Sequence, residues 1–288
     1  MPMTTVTTIE ELRARLDAAR AAGQRVGFVP TMGYLHPGHT SLMVAARVDT
    51  DVVVASIFVN PLQFGAGEDL DAYPSDLAGD TALAEAAGVD LLFVPARSEM
   101  YPQGGQQTSV TVAGVSEPLE GRTRPGHFTG VATVVAKLLA IVGPCRAYFG
   151  EKDFQQVTVV RQMVGDLSLP VEVVACPTLR ESDGLAMSSR NAYLSAEERA
   201  AAPVVHAALL VGRMAIDAGE RDPARARTLM ADLIAAEPLG ELDYAEVVDA
   251  DTLQVVDPLQ GRLRLVAAVR FGRARLIDNL GVDLSIPT

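Results

Sequence analysis

The chain has 288 residues, 49% of them hydrophobic, with a formal net charge of -12 and a pI near 4.8. That apolar content can fill the core of one large domain or two ordinary ones. The acidic balance argues against a nucleic-acid or anionic-membrane surface, so any pocket for anions must be built locally from a few cations.

Cys145 and Cys176 are the only cysteines, which excludes a disulfide framework and leaves two small buried hydrophobes as the plain expectation. No basic start with an apolar leader is read, and no run reaches the ~18 apolar residues of a membrane span. A cytoplasmic protein is expected.

In chain order, Thr8 and Glu11 have the spacing of a capping box. It opens a helix through Leu12, Leu16 and Ala19 that Gly23 stops. Val26 to Val29 predicts a buried strand that breaks at Pro30 and turns through Gly33. A helix restarts at Pro37, a residue tolerated at a first helical position. Strand, Gly turn and helix start form a geometry that receives phosphate, because unpaired backbone N–H groups and the positive helix end face the ligand. His36 and His39 stand there three apart, on one helical face. A polar helix end or half a metal site has the same spacing.

Residues 52–59 predict a second strand, dense in β-branched residues as a central parallel strand should be. Asn60 and Gln63 follow at its carboxyl end, where open α/β sheets collect ligands, although turn amides serve equally well there. The acidic stretch from Gly65 to Tyr73, with Glu68, Asp69 and Asp71, reads as a solvated loop. A helix over 76–87, a strand over 91–94, a loop over 98–107 and an edge strand over 108–112 come next. Arg124 and His127, in a Gly-rich stretch before an apolar helix (128–142), could place positive charge over phosphate or lie on a surface loop.

A short strand at 147–149 leads into Gly150, Glu151, Lys152 and Asp153. Lys152, beside a helix start, suits a phosphate. Asp153 and Gln156 also fit a capping-box variant, so a substrate role for Gln156 and a capping role stand level. After a strand at 171–175, residues 179–191 predict a flexible loop whose Ser188, Ser189 and Arg190 suit phosphate oxygens, or an interdomain linker. Ser195 and Glu198 then cap a long Ala-rich helix to Ala218 that contains His206. A helix from Pro223 and strands near 244–248, 263–269 and 275–277 complete a smaller half. A boundary near Thr178 divides a domain of residues 1–178 from one of 179–288.

Five segments carry a resemblance. They are Pro30-Thr31-Met32-Gly33, His36-x-Gly38-His39, Ser56-Ile57-Phe58-Val59-Asn60-Pro61-x-Gln63-Phe64, Phe149-Gly150-Glu151-Lys152-Asp153-x-Gln155-Gln156 and Met187-Ser188-Ser189-Arg190-Asn191. In this order, and over nearly the whole chain, they resemble the pantoate–β-alanine ligase family of the nucleotidyl-transferring Rossmann superfamily. The resemblance implies an α/β fold, with a Rossmann-like parallel-sheet N-terminal domain for ATP and pantoate and a smaller α+β C-terminal lid. It implies ATP-dependent condensation of pantoate with β-alanine through a pantoyl adenylate, with Mg2+ accompanying the triphosphate, and a homodimer.

It further implies that Met32, Gly33, Tyr34, Leu35, His36, Pro37, Gly38 and His39 wrap ATP. His36 and His39 would stabilise the transferring phosphate, with His36 as proton donor. Gly150, Glu151, Lys152 and Asp153 would contact the nucleotide, Lys152 on the phosphates, with the Leu179 backbone on adenine. Met187, Ser188, Ser189 and Arg190 would close over the phosphates, His36, His39, Lys152 and Arg190 being the catalytic set. Gln63 and Gln156 would hold pantoate, with Asn60, Tyr73, Arg124 and His127 of second rank. Pro37 departs from the family, which commonly has an acidic residue between the histidines. Residues 75–80 match loosely, and no metal ligand is assigned, Asp80 being the open position. One rival is an adenylyltransferase of the same superfamily acting on a phosphate acceptor, which would want cations where Gln63 and Gln156 stand. A non-catalytic nucleotide-binding module is the other.

Overall fold

The computed structural model describes residues 3–65, 70, 73–105 and 107–284. Glu68, Asp69 and Asp71 of the acidic stretch lie outside the described residues. The chain forms two compact units, Met1–Glu151 with Gln156–Pro177, and Lys152–Gln155 with Thr178–Thr288.

The first unit begins with β1 (Thr4–Val6), α1 (Ile9–Ala21), β2 (Val26–Thr31), α2 (Pro37–Asp49) and β3 (Val52–Ile57). The chain continues through α3 (Leu77–Ala86), β4 (Leu91–Phe93) and two one-turn helices, α4 (Arg97–Met100) and α5 (Glu120–Thr123). Then come α6 (His127–Val142), β5 (Cys145–Gly150), α7 (Phe154–Asp166) and β6 (Val171–Cys176). The six strands form one sheet in the order β1-β4-β3-β2-β5-β6, and every pairing is parallel. Consecutive strands β2, β3 and β4 step one way, and β5 then returns to the other side of β2. The strand order therefore reverses beside β2 and β5, the place where doubly wound sheets bind ligands.

The local reasons are plain. Thr8 accepts the Glu11 N–H at 3.3 Å and so caps α1. The Glu11 carboxylate engages Arg15 at 3.0 Å, and the Ile9 N–H is taken by Glu99. Leu12, Leu16 and Ala19 bury the predicted face of α1. Burying Leu12 and Leu16 fully is worth roughly 1.5–3 kcal/mol each. Helix α6 is buried nearly all round, as a helix covered on both sides should be. Burial pushes the thiol of Cys145, partly buried against the core, up to about 12, in keeping with an inert cysteine.

Several expectations need correction. Strand β2 does not break at Pro30 but runs to Thr31, with Pro30 paired to Ser56. The Thr31 carbonyl accepts from Phe58 on the β3 side, so by alternation Pro30 presents its missing N–H toward β5. The β2–β5 ladder has already ended at Phe28, so no sheet bond is lost. Residues 108–112 form no strand. The Val110 N–H goes to Thr133 Oγ1 at 2.9 Å, so a helix side chain takes the donor an edge strand would have offered. The predicted loops over 98–107 and 120–127 contain α4 and α5.

The second unit holds α8 (Ala196–Ala201), α9 (Val204–Asp217), α10 (Pro223–Ala235), β7 (Glu241–Asp249), β8 (Arg262–Phe271) and β9 (Ala274–Asp283). Its sheet is antiparallel in the order β7-β8-β9, with α9 and α10 packed on it. The Ser195–Glu198 capping box is complete. The single long helix predicted after it is two helices, because Pro203 interrupts the ladder between α8 and α9. Ala196–Asp217 taken together has the length and apolar composition of a membrane span. Val205, Ala208, Leu209 and Ile216 of α9 nevertheless lie in the core of this unit, as in a core helix.

Candidate active site

The turn between β2 and α2 is fastened from inside. Thr31 Oγ1 donates to the Ser56 carbonyl and accepts the Gly33 N–H at 3.2 Å. Gly33 has φ +85° and Tyr34 φ +51°, both left-handed. The carboxylate of Asp80, only 3% exposed, accepts the Tyr34 N–H at 2.8 Å and the Leu35 N–H at 2.6 Å. A Cβ on Gly33 would lie 2.9 Å from Asp80 Oδ2, so glycine lets the carboxylate sit under the turn.

His36 is the N-cap of α2, and its Nδ1 accepts the Gly38 N–H at 3.1 Å. A ring nitrogen that accepts carries no proton, so the neutral ring carries its proton on Nε2. Its partner ring, His39, lies with its centroid 4.1 Å away. The His39 N–H goes to the His36 carbonyl at 2.8 Å. The N–H groups of Gly33, Tyr34, Leu35, Gly38 and His39 are thus all spent within the protein, and Pro37 has none. The side chains this turn places at its end are the imidazoles of His36 and His39.

Beyond β3, Asn60 begins a 3-10 turn, Pro61–Gln63. Asn60 is 1% exposed. Its Oδ1 accepts from Leu62 N and from the Tyr101 hydroxyl, and its Nδ2 donates to the Gly130 carbonyl and to Gln63 Oε1. Gln63 Nε2 points at Met32 Sδ, 2.7 Å away. The Gln63 carbonyl accepts from His127 Nδ1 at 2.8 Å. Because that carbonyl can only accept, His127 Nδ1 carries the proton, and Nε2 takes the Arg124 guanidinium at 3.0 Å. Asn60, Arg124 and His127 therefore all act on Gln63. A Cβ at Gly130 would fall 2.1 Å from the Leu62 carbonyl, which explains a glycine where α6 meets this turn. Tyr73 packs edge-on against Phe64, and Gln156 is partly exposed in the first turn of α7.

In the second unit, Lys152 is 18% exposed and lies 3.4 Å from the Asp153 carboxylate. The segment predicted as a flexible loop is a small hairpin: Arg180 bridges Ala186, and the Met187 N–H reaches the Leu179 carbonyl. Arg180 forks onto Asp278 at 2.6 and 2.9 Å, and also donates to the Gly184 carbonyl. Ser188 caps the following 3-10 turn, Ser189–Tyr193, through the Arg190 N–H. Asn191 reaches the Ala186 carbonyl.

Sequence reasoning missed Asp80 as the clamp of the turn, Tyr101 behind Asn60, and the Arg180–Asp278 pair. Each joins residues far apart in the chain, and no local pattern marks them.

A parallel sheet that presents paired imidazoles at a strand's carboxyl end belongs to the α/β enzymes that bind small ligands at the switch point. The chain belongs to the pantoate–beta-alanine ligase family, whose sequence model matches residues 4–281. It is 51% identical over 282 residues to a pantothenate synthetase of Acetivibrio thermocellus, covering 98% of this chain and 100% of that one. Its fold is similar to that of a pantothenate synthetase crystal structure from Thermus thermophilus, with TM-score 0.91, 53% identity and 96% and 99% of the chains covered. It also resembles a Francisella tularensis pantoate–beta-alanine ligase solved with beta-gamma ATP and beta-alanine, with TM-score 0.79, 34% identity and 96% and 97% covered. The chain is a ligase, and the adenylyltransferase reading gives way to it.

Proposed function

We propose that the chain condenses pantoate with β-alanine at the expense of ATP, through a pantoyl adenylate. A pantoate carboxylate oxygen attacks the α-phosphorus, and the bond to the bridging oxygen breaks with its electron pair leaving on pyrophosphate. The deprotonated amine of β-alanine then attacks the acyl carbon, and AMP leaves. In this reading His36 donates from Nε2 and His39 adds a second imidazole as charge develops on the phosphate. Lys152 and Arg190 supply the cations, with Ser188 and Ser189 as hydroxyl donors. Gln63 and Gln156 orient pantoate without neutralising the attacking carboxylate. Mg2+ enters with ATP as part of the substrate. We further take the enzyme to be a cytoplasmic homodimer whose C-terminal domain, residues 179–288, serves as a lid for the ATP and pantoate domain, residues 1–178.

The observation that carries this reading is the His36 cap, which fixes a neutral Nε2–H donor beside His39 at the carboxyl end of β2. The ligands of the Francisella relative support it. Pantoate labelled with 18O in its carboxylate tests it. Transfer of one label to AMP is expected, and label confined to inorganic phosphate or absent from AMP rules the adenylate out.

A further inference from the structure

Asn60 has a fixed orientation. The Leu62 N–H can only donate and the Gly130 carbonyl can only accept, so Oδ1 must face the first and Nδ2 the second. Two consequences follow from that orientation. Tyr101, whose hydroxyl lies 2.7 Å from Oδ1, must be the donor in that contact. Gln63, 3.3 Å from Nδ2, must offer its oxygen to Asn60, which turns its NH2 group away.

We infer that Tyr101 is a positioning residue for substrate selection, acting through Asn60 to present Gln63 as a hydrogen-bond donor to an oxygen of the hydroxy acid. This rests on the proposed reading of Gln63 as a pantoate contact. Tyr101 is 4% exposed and packs beside Phe58, with Lys137 over its ring 5.5 Å from the centroid. Burial pushes its phenol up to about 12, which keeps the proton on the hydroxyl. Without the hydroxyl, Asn60 Oδ1 keeps only the longer Leu62 contact, and nothing on that side holds its plane. The Gln63 amide, whose Nε2 also meets Met32 Sδ at 2.7 Å, then rests on a loosened partner.

The test compares Tyr101→Phe with Gln63→Ala and the wild type. Tyr101→Phe should raise KM for pantoate roughly five- to tenfold, about one lost hydrogen bond, and leave KM for ATP within twofold. A purely structural role would lower the melting temperature and leave the two KM values in their wild-type ratio. The side-chain amide NMR signal of Gln63, assigned by its loss in Gln63→Ala, should shift and exchange faster in Tyr101→Phe. An unmoved signal overturns the relay whatever Gln63 binds. If Gln63→Ala leaves pantoate KM unchanged while the signal moves, the relay stands and the reading of Gln63 fails. Should Tyr101→Phe not fold, Asn60→Asp reads the same relay, because a carboxylate cannot donate to Gln63 Oε1. A wild-type pantoate KM in that variant overturns the proposal.

Discussion

The side-chain amide of Asn279 donates to the backbone carbonyl of Lys152 over 2.9 Å. Its neighbour Asp278 on β9 holds Arg180, at the base of the hairpin that precedes Ser188. Two successive residues of one strand thus fasten both of the segments that carry the proposed phosphate-binding groups of the second unit. Asn279→Ala removes one of these ties. It should lower kcat/KM for ATP about five- to tenfold, the worth of one hydrogen bond, with little change in pantoate KM. Steady-state kinetics at varied ATP checks this, and an unchanged kcat/KM for ATP rules the tie out as functional.

Lys152→Ala tests the cation itself. Removing one preorganised donor to a developing charge costs roughly 3 kcal/mol, about a hundredfold or more in the rate of adenylate formation. Rapid-quench measurement of pyrophosphate release in a single turnover reads that step directly. A rate near wild type removes Lys152 from the chemistry.

Asp80→Asn should destabilise the first unit by about 1–3 kcal/mol, because the new amide turns a donor toward one of two N–H groups that need an acceptor. The same change should slow adenylate formation, since the turn it fastens carries His36. Urea unfolding gives the first quantity and the pyrophosphate assay the second. Full stability in the variant contradicts the clamp.

His206 on α9 packs so closely on Gly184 that a Cβ there would lie 2.5 Å from its Nδ1. Burial lowers its pKa below the ordinary 6.5, with the Arg180 guanidinium adding to the effect and Asp278 opposing it. The unfolded chain therefore binds this proton at higher pH than the folded one. The favourable contribution is present above pH 6.5 and is lost as pH falls from there through the folded pKa. In urea titrations between pH 8 and pH 5, His206→Gln should lose less stability than the wild type. Equal losses show that His206 does not titrate as the packing requires.

What could be read from the sequence follows the range of the forces involved. The face of α1 and the β-branched run of β3 are local patterns, and both formed as read. The His36–His39 pair was visible because its spacing lies within one helical turn. The alternation at 108–112 misled because a side chain 23 residues away, Thr133, takes the Val110 N–H. The ties that hold the site cross 46 residues from Tyr34 to Asp80, 41 from Asn60 to Tyr101 and 127 from Lys152 to Asn279. No periodicity or capping rule spans such distances. Pro203 was readable as a helix breaker, and the Ala-rich run around it concealed the break.

The amides of Gly33, Tyr34, Leu35, Gly38 and His39, spent within the protein, have a consequence for how this surface can change over time. A phosphate held by main-chain N–H groups is indifferent to which side chains surround it, and point mutation cannot retune it. In the reading proposed for His36 and His39 the grip resides in side chains, each replaceable by a single codon. Position 36 is the exception among such side chains, because a descendant with another residue there would also have to replace the cap that His36 gives α2.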